Sequence, residues 1–230
     1  EDNSFDVIVG NVPFGDFRLY DPRYKKMKLK VHDYFIRKSM DLLRPGGILA
    51  VVTSKGTLDK NDSTVRKNLA EQADLLGAVR LPADSFGKSA NTAVTSDLLF
   101  FQKKAEPLMG EPIWTYTGLT EDMVPVNEYY LEHPEMMLGK MVWFEQFFGK
   151  DSKYTALVNN AEDFDLEKGI LDAVGELPQN CYEESIAEKK EEAQDVLAAS
   201  PKIPNYTFTV IQDEVYYREG ESLYLSLIHI

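Results

Sequence analysis

Cysteine and histidine are nearly missing from this 230-residue chain, which has one cysteine, Cys181, and three widely separated histidines, His32, His133 and His229. One thiol excludes an internal disulfide, and histidines so scattered give no Cys/His metal set and no nucleophile–base pair by spacing, so no metal is expected. There is no apolar run of bilayer-spanning length and no secretory opening, so the expected setting is a reducing cytoplasm with no membrane partner. Also missing is Gly-x-x-x-x-Gly-Lys-Ser/Thr, which excludes P-loop nucleotide hydrolysis by this segment.

What is present is an ordinary globular composition, 43% hydrophobic and 11% aromatic. The net charge of -13 is unevenly spread. Residues 1–105 carry 17 Lys+Arg against 13 Asp+Glu, and residues 106–230 carry 8 against 25. A polyanion is therefore expected to meet the first part, and the acidic remainder reads as a solvated accessory region or a surface for another protein.

Phe5 to Gly10 reads as a short buried strand cut off by a turn over Asn11 to Gly15. A helix is expected from His32 to Leu43, stopped by Arg44-Pro45-Gly46-Gly47. Ile48 to Val52 reads as a strand, Thr64 to Ala73 as a helix capped by Asp62 or Ser63, and Leu75 to Leu81 as a strand. Pro82 to Thr95 is expected as an irregular loop and Leu98 to Gln102 as another strand. This order predicts part of a doubly wound α/β sheet, with ligands beyond the carboxyl ends of its strands and Ile48–Val52 and Leu98–Gln102 in its interior. No glycine-rich crossover opens it, so the natural domain is expected to begin upstream. After residue 105 the pattern loosens into a connecting region over 106–180 with a helical stretch over Val126 to Tyr130. A polar helix over 181–200 and a β-hairpin over 203–224 follow, then a tail, 225–230, read as truncation or read-through.

Asn11-Val12-Pro13-Phe14-Gly15 carries the chemistry. An Asn side-chain oxygen and the Val12 carbonyl each accept one hydrogen bond from an –NH₂ group, drawing its lone pair out of conjugation and toward an electrophile. Pro13 fixes the backbone so that the preceding carbonyl points inward. Phe14 offers a flat face for a base taken out of its stack. Arg18, Arg23, Lys25, Lys26, Lys28 and Lys30 follow directly, with Arg37 and Lys38 beyond, interleaved with Tyr20, Tyr24, Tyr34 and Phe35; they are candidate phosphate contacts, with Lys55 a further candidate after the second strand.

The Asn-x-Pro-Phe motif resembles that of the amino-methyltransferases. His32-Asp33-Tyr34-Phe35, Leu43-Arg44-Pro45-Gly46-Gly47-Ile48-Leu49-Ala50, Leu76 to Pro82 before Phe86, and Thr92 to Gln102 resemble the successive later motifs of type I-like adenine-specific DNA methyltransferases. Leu19-Tyr20-Asp21-Pro22 and His133-Pro134-Glu135-Met136-Met137-Leu138-Gly139 resemble the large methylase–helicase fusions of phages and conjugative elements. The family usually has Pro where Val12 stands, which bears on the loop's rigidity more than on the carbonyl it supplies.

The resemblance implies methyl transfer from S-adenosylmethionine to the adenine amine of DNA by a longer chain that includes a helicase. It places Asn11, Val12, Pro13 and Phe14 in catalysis, and Asn11 and Phe14 at the edge of the cofactor pocket. With the main glycine-rich loop missing, this piece alone is expected to bind the cofactor weakly and to be inactive. The competing readings are a methyltransferase of rRNA or protein glutamine, and a noncatalytic DNA-binding module scaffolding a helicase.

Overall fold

The computed structural model describes residues 2–86, 94–143, 154–182, 196–211 and 214–225. It divides into two compact units, 1–182 and 183–230.

The first unit begins with β1 (Phe5–Asn11), α1 (Val31–Leu42), β2 (Leu43–Ser54), α2 (Gly56–Asp59), α3 (Thr64–Ala70), β3 (Ala73–Leu81) and β4 (Ser96–Lys103). These strands form one mixed sheet in the order β1-β2-β4-β3. β1 and β2 are parallel and joined through α1, whereas β4 lies between β2 and β3 and runs antiparallel to both. The architecture is α/β, as expected, in a mixed sheet with one reversed strand. The two strands expected in the interior are there.

Packing follows from side-chain alternation. On one face Leu49 lies opposite Phe101 and Val51 opposite Leu99. Phe101, Leu49 and Leu99 are fully buried in a core that also takes in Ile36 and Met40, one helical turn apart on α1. On β1 the outward residues Phe5, Val7 and Val9 are 49%, 49% and 76% exposed, although their β2 partners are buried (Leu43) or half-buried (Ile48 and Ala50). The outer edge of β1 is unpaired among the described residues, while that of β3 is met by Met137 and Leu138, the latter donating its N–H to the Arg80 carbonyl at 3.0 Å.

Several boundaries move relative to the sequence reading. β2 starts at Leu43, before the four-residue stop, because the chain turns extended as soon as α1 ends and pairs Leu43 with Phe5. Gly46, at φ +77°, then lets a bulge form, and Gly47 brings the backbone so close to β1 that a Cβ there would sit 2.9 Å from the Asp6 carbonyl oxygen. α3 ends at Ala70 and β3 starts at Ala73. Ahead of α3 it is Asp62 that accepts the Thr64 N–H, at 3.0 Å, and Ser63 makes no side-chain cap.

The rest of the unit holds β5 (Thr117–Leu119), β6 (Pro125–Asn127), α4 (Glu128–Glu132), β7 (Lys140–Trp143), β8 (Thr155–Val158) and α5 (Leu166–Gly175). The helical stretch expected from Val126 begins at Glu128, because Asn127 stays extended and caps α4 by accepting the Tyr129 N–H at 3.0 Å. Trp114, Val126, Tyr129 and Tyr130 join the core of the sheet, so this region shares one interior with the first 105 residues.

The second unit holds β9 (Val196–Ala198), β10 (Phe208–Ile211), β11 (Glu214–Glu219) and β12 (Ser222–Leu225), antiparallel in the order β10-β11-β12-β9. The helix expected through residue 200 is replaced at its end by β9, where the run Val-Leu-Ala finds a partner in β12. Residues 183–195 of that helix, 87–93 of the expected loop and 226–230 of the tail lie outside the described residues. No helix among the described residues is long and apolar enough to cross a membrane.

Candidate active site

Asn11 is the last residue of β1 and is exposed. The Val12 N–H donates to the Val52 carbonyl at 3.0 Å, which carries the strand pairing one residue beyond Asn11 and fixes where the turn begins. Val12 is buried, Pro13 is exposed, and Phe14 keeps 38% of its surface accessible. The motif thus stands at the carboxyl end of a strand with an anchored backbone and with Asn11 and Phe14 open to a ligand.

Beside it is a cavity of about 430 Å³, within the range of small-ligand clefts. Phe14, Gly15 and Asp16 line it from the motif loop, Lys30 and His32 from the start of α1, and Ser54, Lys55, Gly56, Asp59 and Lys60 from the end of β2 and α2. Asn11, Val12 and Pro13 do not line it.

The polypeptide between Gly15 and α1 forms a projecting loop closed at its base, where the Val31 N–H donates to the Phe17 carbonyl at 3.0 Å. Tyr24, Leu29 and Tyr34 give it a small core of its own. The Tyr24 hydroxyl donates to Asp41 at 2.7 Å and the Tyr34 hydroxyl to Asp21 at 2.9 Å. Burial, followed by the hydrogen bond to Asp41, pushes the Tyr24 phenol well above its ordinary pKa.

This framework separates the basic candidates. Arg23 is a fastener, with both terminal nitrogens on Asp2 at 2.7–2.8 Å and one 3.1 Å from Asp41. Lys30 pairs with Asp16. Lys55 is half-buried, donates to the Thr155 hydroxyl at 2.9 Å and lies 5.4 Å from the centre of the Tyr154 ring. Burial lowers its pKa, Arg80 adds to that, and Asp59 and Asp97 oppose it. Arg18, Lys25, Lys26 and Lys28 are exposed and make no ion pair with a carboxylate among the described residues.

Four features escaped sequence reading. His32 is buried with neither ring nitrogen hydrogen-bonded, its Nε2 3.5 Å from an Asp33 oxygen. Burial holds this imidazole below its ordinary pKa, with Asp33 opposing. Asp33 is itself buried and paired with Lys60 at 2.7 Å. Arg80, fully buried, makes two hydrogen bonds to Asp97 and two to Asp59, and its guanidinium lies 4.3 Å from the centre of the Tyr130 ring. Finally, Thr155 and Tyr154 reach Lys55 across about a hundred residues of sequence. Arg80 and Asp97 left a signal as charges at or inside otherwise apolar strands, and His32 and Asp33 as part of the motif that opens the first helix, without a sign of their burial.

Residues 1–165 match the N-6 DNA Methylase family. The chain belongs to that family. It is 30% identical over 153 residues to Defense against restriction protein B of Escherichia phage P1, a match covering 63% of this chain and 6% of the phage protein's length. Among solved structures, the M protein of the type I restriction enzyme EcoKI superposes on 45% of this chain and 23% of its own, at 20% identity and a TM-score of 0.37. A modification subunit assigned to a type I restriction enzyme of Vibrio vulnificus YJ016 covers 46% of this chain and 24% of its own, at 26% identity and a TM-score of 0.38. Superpositions this partial establish neither activity nor partner.

Proposed function

We propose that this chain is the amine-orienting part of an adenine-specific DNA methyltransferase. The observation that carries the reading is the placement of Asn11-Val12-Pro13-Phe14 at the open carboxyl end of β1, beside a cavity, in a chain of the N-6 DNA Methylase family. The Asn11 oxygen and the Val12 carbonyl accept the two protons of the adenine amine. That pulls the nitrogen toward a tetrahedral geometry and leaves its lone pair free for attack. Phe14 stacks against the flipped base, and the proton released on methylation passes to water. The neighbouring cavity is assigned to the nucleotide: Lys30 and Lys60 on its lining are paired with Asp16 and Asp33, and Lys55 is left to meet a phosphate.

S-adenosylmethionine is the methyl donor in this reading and supplies an electrophilic methyl group. The chain provides Asn11 and Phe14 as one edge of its site. The unpaired, apolar edge of β1 supports a sheet completed by further strands from a longer protein, giving a doubly wound methyltransferase domain of which this chain is the later half. A helicase in the same chain, a mobile genetic element as source and a cytoplasmic setting belong to the same reading.

The test is transfer of label from S-adenosylmethionine to unmethylated duplex DNA by the longer protein, beside Asn11→Ala. Label recovered as N6-methyladenine and lowered at least about a hundredfold by the substitution is the expected result. Label on rRNA or protein glutamine instead, or DNA binding with no transfer at all, would replace the reading by one of its competitors.

A further inference from the structure

The loop between the motif and α1 carries exposed aromatic residues and unpaired cations that the chemistry above does not use. Tyr20 is 79% exposed and Phe17 53%. One face of the Tyr20 ring has the Lys25 ammonium 5.9 Å from its centre, and the rest of the ring is open. Next to Tyr20 is a recess of about 170 Å³, lined by Arg18, Lys25 and Lys28 together with Tyr20 and Asp21.

The carboxylates of this loop are already engaged. Asp16 is paired with Lys30, and Asp21 accepts the Tyr34 hydroxyl and the Arg23 N–H. Arg18, Lys25 and Lys28 are therefore left without a carboxylate among the described residues, in a chain whose net charge is -13. A solvated loop needs no large aromatic surface in water. An aromatic face beside several unneutralised cations fits a strand whose bases stack while its phosphates are neutralised.

We infer that this loop grips single-stranded DNA next to the target nucleotide, with Tyr20 stacked on a flanking unpaired base and Arg18, Lys25 and Lys28 on the adjoining phosphates. The loop suits this role because its base is tied and its inner tyrosines are packed, so the outer face is presented without having to order itself first. Lys168, exposed on α5 and not a candidate phosphate contact, is the control. The inference rests on the proposed function only for the identity of the polymer.

The test is titration of the full-length protein against a labelled single-stranded DNA oligonucleotide at several salt concentrations, with an RNA of the same sequence alongside. Tyr20→Ala is expected to weaken DNA binding about five- to 150-fold without changing the salt dependence, and Tyr20→Phe to keep it. The triple variant Arg18→Gln, Lys25→Gln, Lys28→Gln should lower the slope of log affinity against log salt by about 2, while Lys168→Gln leaves it unchanged. Wild-type binding by Tyr20→Ala, an unchanged salt slope in the triple variant, or tighter binding of the RNA would overturn the inference. Asn11→Ala separates the two proposals. If it binds normally and the wild-type protein transfers no methyl groups either, the enzyme reading falls and the grip stands. If methyl transfer depends on Asn11 but Tyr20→Ala binds like the wild type, the grip alone falls.

Discussion

Arg80 and Asp97 face each other across neighbouring antiparallel strands, with Arg80 Nε 2.7 Å from one carboxylate oxygen and a terminal nitrogen 2.9 Å from the other, both side chains fully buried. Asp59 closes the other side of the guanidinium and also accepts the backbone N–H of Asn127 at 2.9 Å. The pair thus joins the sheet, the cavity wall and the region after residue 105 into one network. Burial raises the Asp97 carboxyl, with the Arg80 charge opposing; Arg80 itself, despite its own burial, is held far above its ordinary value by Asp59 and Asp97.

Arg80→Ala should lower unfolding stability by about 3–5 kcal/mol in urea, since it strands two carboxylates in the interior. A loss below about 1 kcal/mol would mean that water or rearrangement takes the place of the guanidinium.

Gly47→Ala tests the close approach of β2 to β1. Its methyl would meet the carbonyl oxygens of Asp6 and Arg44, each at 2.9 Å, and neither is free to swing away. A loss of about 1–3 kcal/mol is expected. Gly110→Ala, where nothing lies within 4 Å, is the neutral control.

His32 should make stability fall in mild acid. Its imidazole is held below its ordinary pKa by burial and by Lys60 and Lys30, with Asp33 and Asp16 opposing. The unfolded chain therefore takes up a proton near pH ~6.5, before the folded one does, and stability falls as pH drops from there toward the folded value. Unfolding curves of His32→Gln at successive pH values should show a shallower decline over that window. An unchanged decline would assign it to other groups.

Phe14→Ala should reduce kcat/KM for DNA methylation by about five- to 150-fold, the worth of one stacked base, and leave the melting temperature in place because the ring is partly exposed. Phe14→Tyr should restore most of the activity, and equal losses in both variants would speak against stacking.

The strands and the first helix were legible because Phe5–Gly10, Ile48–Val52 and Leu98–Gln102 are short apolar runs between clear breakers, and Phe35, Ile36, Ser39, Leu42 and Leu43 keep helical spacing. The direction of β4 was not, because hydrophobicity has the same period in either direction. The motif was legible because Asn11 to Phe14 are contiguous, whereas Lys55 with Thr155, and Arg80 with Asp59, are partners made by folding. The basic loop was legible as a composition, but which cations are fasteners depends on where Asp2, Asp16 and Asp41 fall in space.

β4 is the last strand of its sheet to be synthesised and lies in the middle of it. As the chain leaves the ribosome, β1 and β2 can pair, but β3 has no sheet neighbour until residues 96–103 emerge and slot in beside it. Closure of this half of the protein is therefore a single late event, and a chain halted before residue 103 exposes two open flanks to whatever is nearby.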